Sequence, residues 1–580
     1  MRLQFLDSLM SESSPQANRH SQAHAPSWLI ALGLSILASL ALLLPFFWLG
    51  SASGHDFEFH VASWLDVAYQ WKQGVLFPRW TAWTNYGFGE PRFIFYPPLS
   101  WILGAALSIV LPISWVPAAF VFLTQTFAGM SAFLLLRRLT LPRAAYLGAA
   151  FYAANPYALL VSYIRSDFAE QLACAILPLL MLAALRLAGL LREENPKPST
   201  ITLFAVPFAA VWLCNAPAGV LASYSMTVLF AWAAVTLRSW RIALRAISGL
   251  ALGFGLAGFY LLPAAYEQRW VNIGQALSSG LLPAQNFLFT QIADVEHTWF
   301  NWISSLCALA LVLLAALTAL ASRRFANKTD RPSASKSPWA ALLLLGSVAT
   351  LMMFRLTAPL WSFLPEMRFV QFPWRWMSIV AVVCCCFLAA AIERRRGWLW
   401  FVLVAILSFP LGYFLTQNTW WDPDEMSTQL AAIKSGTGYE GVDEYDPLGD
   451  DHLDLPKHAY TFTLLPASSD DPSAKPPSGV ATTIAWLPNA KWIRFETSAP
   501  ARVALRLLNY PAWQVWVNGR LVTPERPDGI NQMIVPIPAG QSEIQVRFVR
   551  TRDQTAGIAL SILSLLLAAG LLAPRKSLKV

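Results

Sequence analysis

The sequence predicts a polytopic α-helical membrane protein of about 12–13 transmembrane helices with a C-terminal external β-sandwich-like domain. Three observations carry that prediction. Of the 580 residues, 56% are hydrophobic and only 13% charged, with a mean hydropathy of +0.47. A soluble enzyme would carry roughly a quarter charged residues, and a disordered chain far less apolar surface. Next, a dozen or so apolar runs approach the roughly 20 residues a helix needs to cross the hydrocarbon core. Finally, a polar stretch before the last apolar run reads as short strands at regular spacing.

In chain order, residues 1–27 form a polar tail ahead of a first span at about 28–49. That span is too long for a signal-peptide core, so an uncleaved anchor with a cytoplasmic N-terminus is expected. Residues 50–96 form a large first external loop. Apolar runs follow near 97–111, 115–136, 144–161, 168–191, 200–214, 217–237, 246–264, 299–321, 338–354, 374–392 and 397–415, and the last covers 555–573. The expected division is therefore a transmembrane domain over 28–415, an external β-rich domain over 416–554, a final transmembrane helix over 555–573 and a cytoplasmic tail over 574–580.

Basic residues orient the chain. Arg137, Arg138 and Arg143, then Arg192 and Lys197, Arg238, Arg241 and Arg245, Arg323 to Lys336, Arg394 to Arg396, and Arg575 to Lys579 all mark one side in strict alternation, which the positive-inside rule assigns to the cytoplasm. Segment 97–111 breaks that alternation. It is short and follows Pro97-Pro98, so it is expected to lie in the interface or to enter and return. A true span with a different first-loop topology is the alternative.

In the β-rich region, strands are expected at Tyr460–Leu465, Gly479–Trp486, Trp492–Thr497, Ala501–Leu508, Trp513–Val517, Arg520–Thr523, Met533–Val535 and Glu543–Val549. Asn518-Gly519 is a tight-hairpin signal. The net charge is +9, but 411–554 holds 17 acidic and 12 basic residues. The surplus of positive charge therefore sits at helix ends, and nucleic-acid binding is excluded. All six cysteines lie in apolar segments, without zinc or disulfide spacing.

Ionisable residues at the external ends of spans are the informative ones, because charge there is costly without partners or a purpose. Gly54-His55-Asp56-Phe57-Glu58-Phe59-His60 places two carboxylates and two imidazoles just after the first span. A carboxylate at a low-dielectric boundary is suited to act as a base. The same set suits a divalent metal, and a solvated loop that caps the next helix is the plain alternative. Residues 61–73 read as an amphipathic helix, either lying flat at the headgroups or an ordinary helix of the loop. Arg165-Ser166-Asp167-Phe168-Ala169-Glu170 sits at another external mouth, either as a charged cavity floor or as acids meeting a helix dipole. Arg368 and Arg375, in the run Glu366 to Arg375, suit bidentate phosphate contact, with ordinary headgroup contact as the alternative. Glu267 and Arg269, with Asp294, Glu296 and His297, are weaker members. The acidic run Asp443 to Asp454 matches no known calcium loop, and Trp486, Trp492, Trp513 and Trp516 suit either sugar stacking or a sandwich core.

An acidic motif just after the first span, a large first external loop, many spans and a β-rich external C-terminal part resemble the GT-C glycosyltransferases. More closely, the chain is similar to the bacterial YfhO-like membrane proteins and the neighbouring 6-pyruvoyl-tetrahydropterin-synthase-related family. The matching pieces are Asp56–His60, Phe95-Tyr96-Pro97-Pro98-Leu99, Asn215-Ala216-Pro217, Leu262-Pro263-Ala264, Gln371-Phe372-Pro373-Trp374-Arg375, Glu444-Tyr445-Asp446-Pro447, and Tyr510-Pro511-Ala512-Trp513 running into Asn518-Gly519. The family label does not imply pterin chemistry, for the seven scattered histidines form no histidine-rich zinc site. The resemblance implies an inverting, lipid-phosphate-sugar-dependent transfer at the external face of a bacterial cytoplasmic (inner) membrane. The donor is a polyprenyl-phosphate-linked sugar and the acceptor an envelope glycan or lipid.

By that carry-over Asp56 is the general base. Glu58, His55 or His60 assist it or hold a metal, and Arg375 and Arg165 are candidates for the donor phosphate. Asp167, Glu170, Glu267 and Arg368 complete the candidate substrate-binding set. Two other readings stay open: a transporter or flippase of a lipid-linked glycan, and a non-catalytic envelope scaffold whose β domain binds glycan.

Overall fold

The computed structural model describes residues 28–191, 196–323, 337–393, 397–422, 424–449, 455–468, 475–526 and 530–573. The two tails, the basic stretches 324–336 and 394–396, Arg192 and the acidic residues 450–454 lie outside the described residues. The rest is mostly helix followed by two antiparallel sheets. Among the described residues, eight helices are long and apolar enough to cross a membrane. Two bent pairs, Trp240–Leu256 with Gly258–Trp270 and Pro338–Met352 with Arg355–Phe363, bring the number to ten if each pair is one span. Three shorter apolar helices, Trp28–Leu43, Pro98–Val110 and Ser199–Cys214, account for the remaining apolar runs.

The 13-residue helix Pro98–Val110 rises only about 20 Å against a hydrocarbon core of about 30 Å. Helix Pro373–Ile392 is central, with 94% of its most apolar stretch buried, whereas Trp398–Gln417 and Arg552–Leu572 are 6% and 17% buried and turn their Leu, Ile and Phe side chains outward. Uniformly apolar helices that bury nothing in the protein require lipid around them.

The β domain hangs between Trp398–Gln417 and Arg552–Leu572. Strands β1 (Phe462–Leu465), β4 (Ala501–Leu508) and β7 (Gln532–Ile537) form one sheet in the order β1-β4-β7. Strands β2 (Gly479–Leu487), β3 (Ala490–Thr497), β8 (Gly540–Phe548), β5 (Trp513–Val517) and β6 (Arg520–Val522) form the other in the order β2-β3-β8-β5-β6. Alternation along β3 turns Ile493 and Phe495 inward and Trp492, 38% exposed, outward. Asn518 and Gly519 both take positive φ, 50° and 76°, as the mirror-image hairpin turn between β5 and β6 requires.

The sandwich core does not close on itself. Trp80, Phe88, Ile94 and Phe95 of the first loop join Val503, Leu505, Trp513 and Val546 in one cluster. Trp513 is thus a core residue. Polar contacts reinforce this docking: Arg506 Nε donates to the Tyr86 carbonyl at 2.8 Å, Asn85 Nδ2 to Asp446 at 2.7 Å, and the Val442 amide to Glu90 at 3.0 Å.

The amphipathic helix of the first loop runs Phe57–Lys72 and is buried over most of its length, not laid flat at a surface. Its polar residues find partners in the loop itself. The Asp66 carboxylate accepts from Gln70 and from the Ala82 amide, and Ser63 accepts from Arg92, which pairs with Glu90 at 2.6 Å.

Candidate active site

Two spans, Pro142–Arg165 and Phe168–Leu187, are joined by only Ser166 and Asp167. A turn this tight forces Ser166 into the left-handed region, at φ 50°. Its hydroxyl accepts from the Gly54 amide at 3.0 Å and donates to the Ala52 carbonyl at 2.8 Å. The Asp56 amide bonds the Arg165 carbonyl at 2.9 Å. Segment 52–56 is thereby strapped along the turn. Gly54 is required there, since a Cβ would collide with the Ile164 carbonyl. Strap and turn together set Asp56 beside Arg165.

Arg165 pairs with Asp56. Asp167 caps the helix that follows it: its Oδ1 accepts from the Glu170 amide at 2.9 Å and lies 3.5 Å from His60 Nε2. Arg375, at the start of the central span, donates from Nε to Glu170 at 3.1 Å and from a terminal nitrogen to Asp167 at 3.3 Å; the other terminal nitrogen donates to the Val370 carbonyl at 2.9 Å. The Tyr157 hydroxyl donates to the second Glu170 oxygen. Both guanidinium groups sit over Phe372, at 4.9 Å for Arg165 and 5.0 Å for Arg375. Tyr96 lies 3.5 Å from His60 Nε2.

Three carboxyl groups thus meet two guanidinium groups and the His60 imidazole. Asp56 is the reachable member, with its side chain 29% exposed; the side chains of Arg165, Asp167, Glu170, Arg375 and His60 are 7% exposed or less. Burial raises the Asp56 carboxyl above the usual carboxylate range, against the pull of Arg165. The Asp167 carboxyl goes the other way: burial pushes it up, but His60 and Arg375 outweigh that and hold it low. The arrangement offers one reachable carboxylate held in place by a buried ionic scaffold.

The sequence-predicted residues divide accordingly. Asp56, His60, Arg165, Asp167, Glu170 and Arg375 come together. Glu58 instead pairs with Gln429. His55 bonds the Ile164 carbonyl through Nδ1 at 3.1 Å and packs its ring on Phe300 and Trp420. Glu267 lies elsewhere, accepting from Tyr510 at 2.5 Å, Gln554 at 2.9 Å and Thr551 at 3.2 Å; it fastens the β domain and the last helix to the helix Gly258–Glu267. Arg368 is exposed over Phe369. Tyr157, Tyr96 and Gln371, which faces Arg375 at 3.5 Å, are members the sequence did not single out. Among the described residues, no three of His, Cys, Asp and Glu are grouped to hold a metal ion.

Fold and site define a multi-span membrane protein with a buried ionic cluster on the side that carries the β domain. A family model described as "6-pyruvoyl-tetrahydropterin synthase related domain; membrane protein" matches residues 93–418. The match covers more than half of the chain, and the protein belongs to that family. No curated protein matches the chain.

Among solved structures, it is similar to the archaeal oligosaccharyltransferase AglB from Archaeoglobus fulgidus, in complex with an inhibitory peptide and a dolichol-phosphate, at 15% identity and TM-score 0.42, over 67% of this chain and 56% of that one. The apo form of the Archaeoglobus fulgidus oligosaccharyltransferase matches at 15% identity and TM-score 0.38, over 68% and 56%. The mycobacterial arabinofuranosyltransferase AftD matches at 13% identity and TM-score 0.43, over 71% of this chain and 29% of that one.

Proposed function

We propose that the protein is a GT-C-like glycosyltransferase moving a sugar from a polyprenyl-phosphate-linked donor to an envelope glycan or lipid. The single supporting observation is Asp56: a partly exposed carboxylate, fixed by Arg165, at the edge of an otherwise buried ionic cluster. In this reading the acceptor hydroxyl gives its proton to Asp56 as its oxygen bonds the anomeric carbon. The bond from that carbon to the donor phosphate oxygen breaks, and the configuration inverts.

Arg165 is the candidate for the phosphate, because its buried Nε has no hydrogen-bond partner among the described residues. Arg375 is committed to Asp167, Glu170 and the Val370 carbonyl, which suits it to hold the scaffold. The site works at the external face of a bacterial inner membrane, with both termini cytoplasmic.

The test is the purified chain in lipid nanodiscs with polyprenyl-phosphate-linked sugars and envelope acceptors. Transfer with inverted anomeric configuration is expected. Counterflow of an intact lipid-linked glycan across sealed vesicles, without transfer, would establish the flippase reading instead. Glycan binding to the β domain with no transfer would establish the scaffold reading.

A further inference from the structure

A cavity of about 570 Å³ opens where the first loop, the β domain and the last helix meet. Gln70 at the far end of helix Phe57–Lys72 lines it. Fourteen residues of helix separate Gln70 from Asp56, about 20 Å at 1.5 Å per residue, so the cavity is distinct from the ionic cluster. Its volume falls within the range of small-molecule sites, roughly 300–1,000 Å³.

Its lining is divided by chemistry. Arg79 and Arg550 supply its charge, whereas Phe77, Phe259, Ile558 and Ile562 supply an apolar lining. Ile558 and Ile562 belong to Arg552–Leu572, which is apolar and buried over only 17% of its span; Ile562 is 55% exposed and continues into the exposed Leu563, Leu566 and Leu567. This part of the apolar lining therefore continues onto the face that lipid chains must cover.

Among the described residues, neither arginine forms an ion pair or hydrogen bond. Arg79 is half-buried over the Phe77 ring, at 4.8 Å. Burial pulls it down to about 10, with the positive charge of Arg550 a smaller effect in the same direction, so it stays charged at neutral pH. Glu267 and Asp553 attract it from a distance, but neither forms an ion pair with it, and Glu267 is bonded to Tyr510, Thr551 and Gln554. Two adjacent unpaired guanidinium groups call for an anion, and an apolar floor open to the bilayer selects one that carries hydrocarbon.

We propose that this cavity is a lipid site, in which Arg79 and Arg550 hold the phosphate of a membrane lipid while its chains run over Phe77, Phe259, Ile558 and Ile562. The bound lipid bridges the first loop, the β domain and the last helix. It is a bilayer lipid phosphate rather than a free anion.

The test uses the full chain, purified in a phosphate-free maltoside and offered phosphatidylglycerol, polyprenyl phosphate, a galactolipid without phosphate, or inorganic phosphate. Native mass spectrometry and the melting temperature are read for each. One retained phospholipid and a rise of several degrees are expected with the phosphate-bearing lipids only, and the more tightly retained of the two identifies the lipid. Arg79→Gln and Arg550→Gln should each cut retention at least tenfold while matching the wild-type melting temperature in maltoside alone; Arg550 is exposed, so that variant carries little folding risk. Wild-type retention by both variants, equal retention of the galactolipid, or an equal rise with inorganic phosphate alone overturns the proposal.

Discussion

Replacing Asp56 with Asn removes one charge and little volume. Arg375 keeps both of its carboxyl partners, Asp167 and Glu170, so the buried remainder of the cluster is undisturbed. What is lost is the ionic bond to Arg165. That side chain, 7% exposed, keeps its contact with the Phe372 ring at 4.9 Å, and an Asn oxygen still accepts from it. The stability cost therefore belongs with lost charged hydrogen bonds, about 1.5–3 kcal/mol, below the 3–5 kcal/mol of stranding a fully buried ion. In a protein of this size that lowers the melting temperature by only a few degrees, and the variant should insert normally.

Transfer should fall far more. Losing a general base costs about 10²–10⁴-fold, or about 3–5 kcal/mol of transition-state stabilisation. The pH profile gives a second reading. The base acts as the anion and its pKa is raised, so wild-type transfer should decline as pH falls through a value above the ordinary carboxylate range. The residual activity of the variant should lack that acid limb. Transfer is followed by product mass spectrometry at matched membrane protein levels. Activity within threefold of wild type, with an unchanged acid limb, would refute the assignment of Asp56.

Three other substitutions probe the fold around the site. Gly54→Ala drives a methyl group into the Ile164 carbonyl; overpacking of this kind costs about 1–3 kcal/mol, and the melting temperature and transfer should drop together because the strap holding Asp56 is displaced. Tyr510→Phe removes the 2.5 Å bond to Glu267, a loss of about 1.5–3 kcal/mol for a charged acceptor, seen as faster limited proteolysis between the β domain and the last helix. Lys491, 6% exposed beneath Trp486 and Trp513, is brought down by burial to about 7. Between that value and about 10.4 in the unfolded chain, the unfolded state binds more protons, so stability rises with pH across this window by at most about 1.4 kcal/mol per unit. Thermal unfolding from pH 7 to 9 should show that rise in the wild type and a flat profile in Lys491→Met.

The strands and apolar helices were legible because their signals are local. Alternation in Trp492–Thr497 and the Asn518-Gly519 turn need no distant partner, and the helices follow from unbroken apolar runs. The acid next to the first span was also legible, but its neighbourhood was not. Asp56 and Glu58 are two residues apart, the one the candidate base and the other its candidate assistant in sequence; Asp56 sits just ahead of the helix and Glu58 in its first turn, and they meet different partners, Arg165 and Gln429. Tyr157 carries no periodic mark, since it meets Glu170 only because a two-residue turn folds one span back on the other. Helix Phe57–Lys72 has the alternation of a surface helix, yet Asp66 and Gln70 bury their polar ends against the Trp80–Ala82 backbone, partners that no helical pattern announces. Glu267 shared the company of external acids in sequence, and its partners Tyr510 and Gln554 lie 243 and 287 residues away.

The cluster is an expensive way to join spans, and that expense bears on its purpose. Desolvating an ion costs several kcal/mol, and well-packed apolar residues often replace buried ion pairs at no loss of stability. The same region also holds non-glycine residues in positive φ: Ser166 at 50°, Glu366 at 56° and Gln371 at 63°, each a strain of about 1–3 kcal/mol. Gln371 and Ser166 belong to the segments that deliver Arg375, Arg165 and Asp167, so strain and charge coincide. A lipid-facing bundle selected for stability alone would have relaxed both, by lengthening the turn and filling it with leucine. The segments instead spend that free energy to hold four buried ionic groups in fixed register behind one partly exposed carboxylate, the preorganisation that the proposed role of Asp56 would need. The substitution that removes only the charge of Asp56 tests the proposed role of this strained segment while leaving its backbone in place.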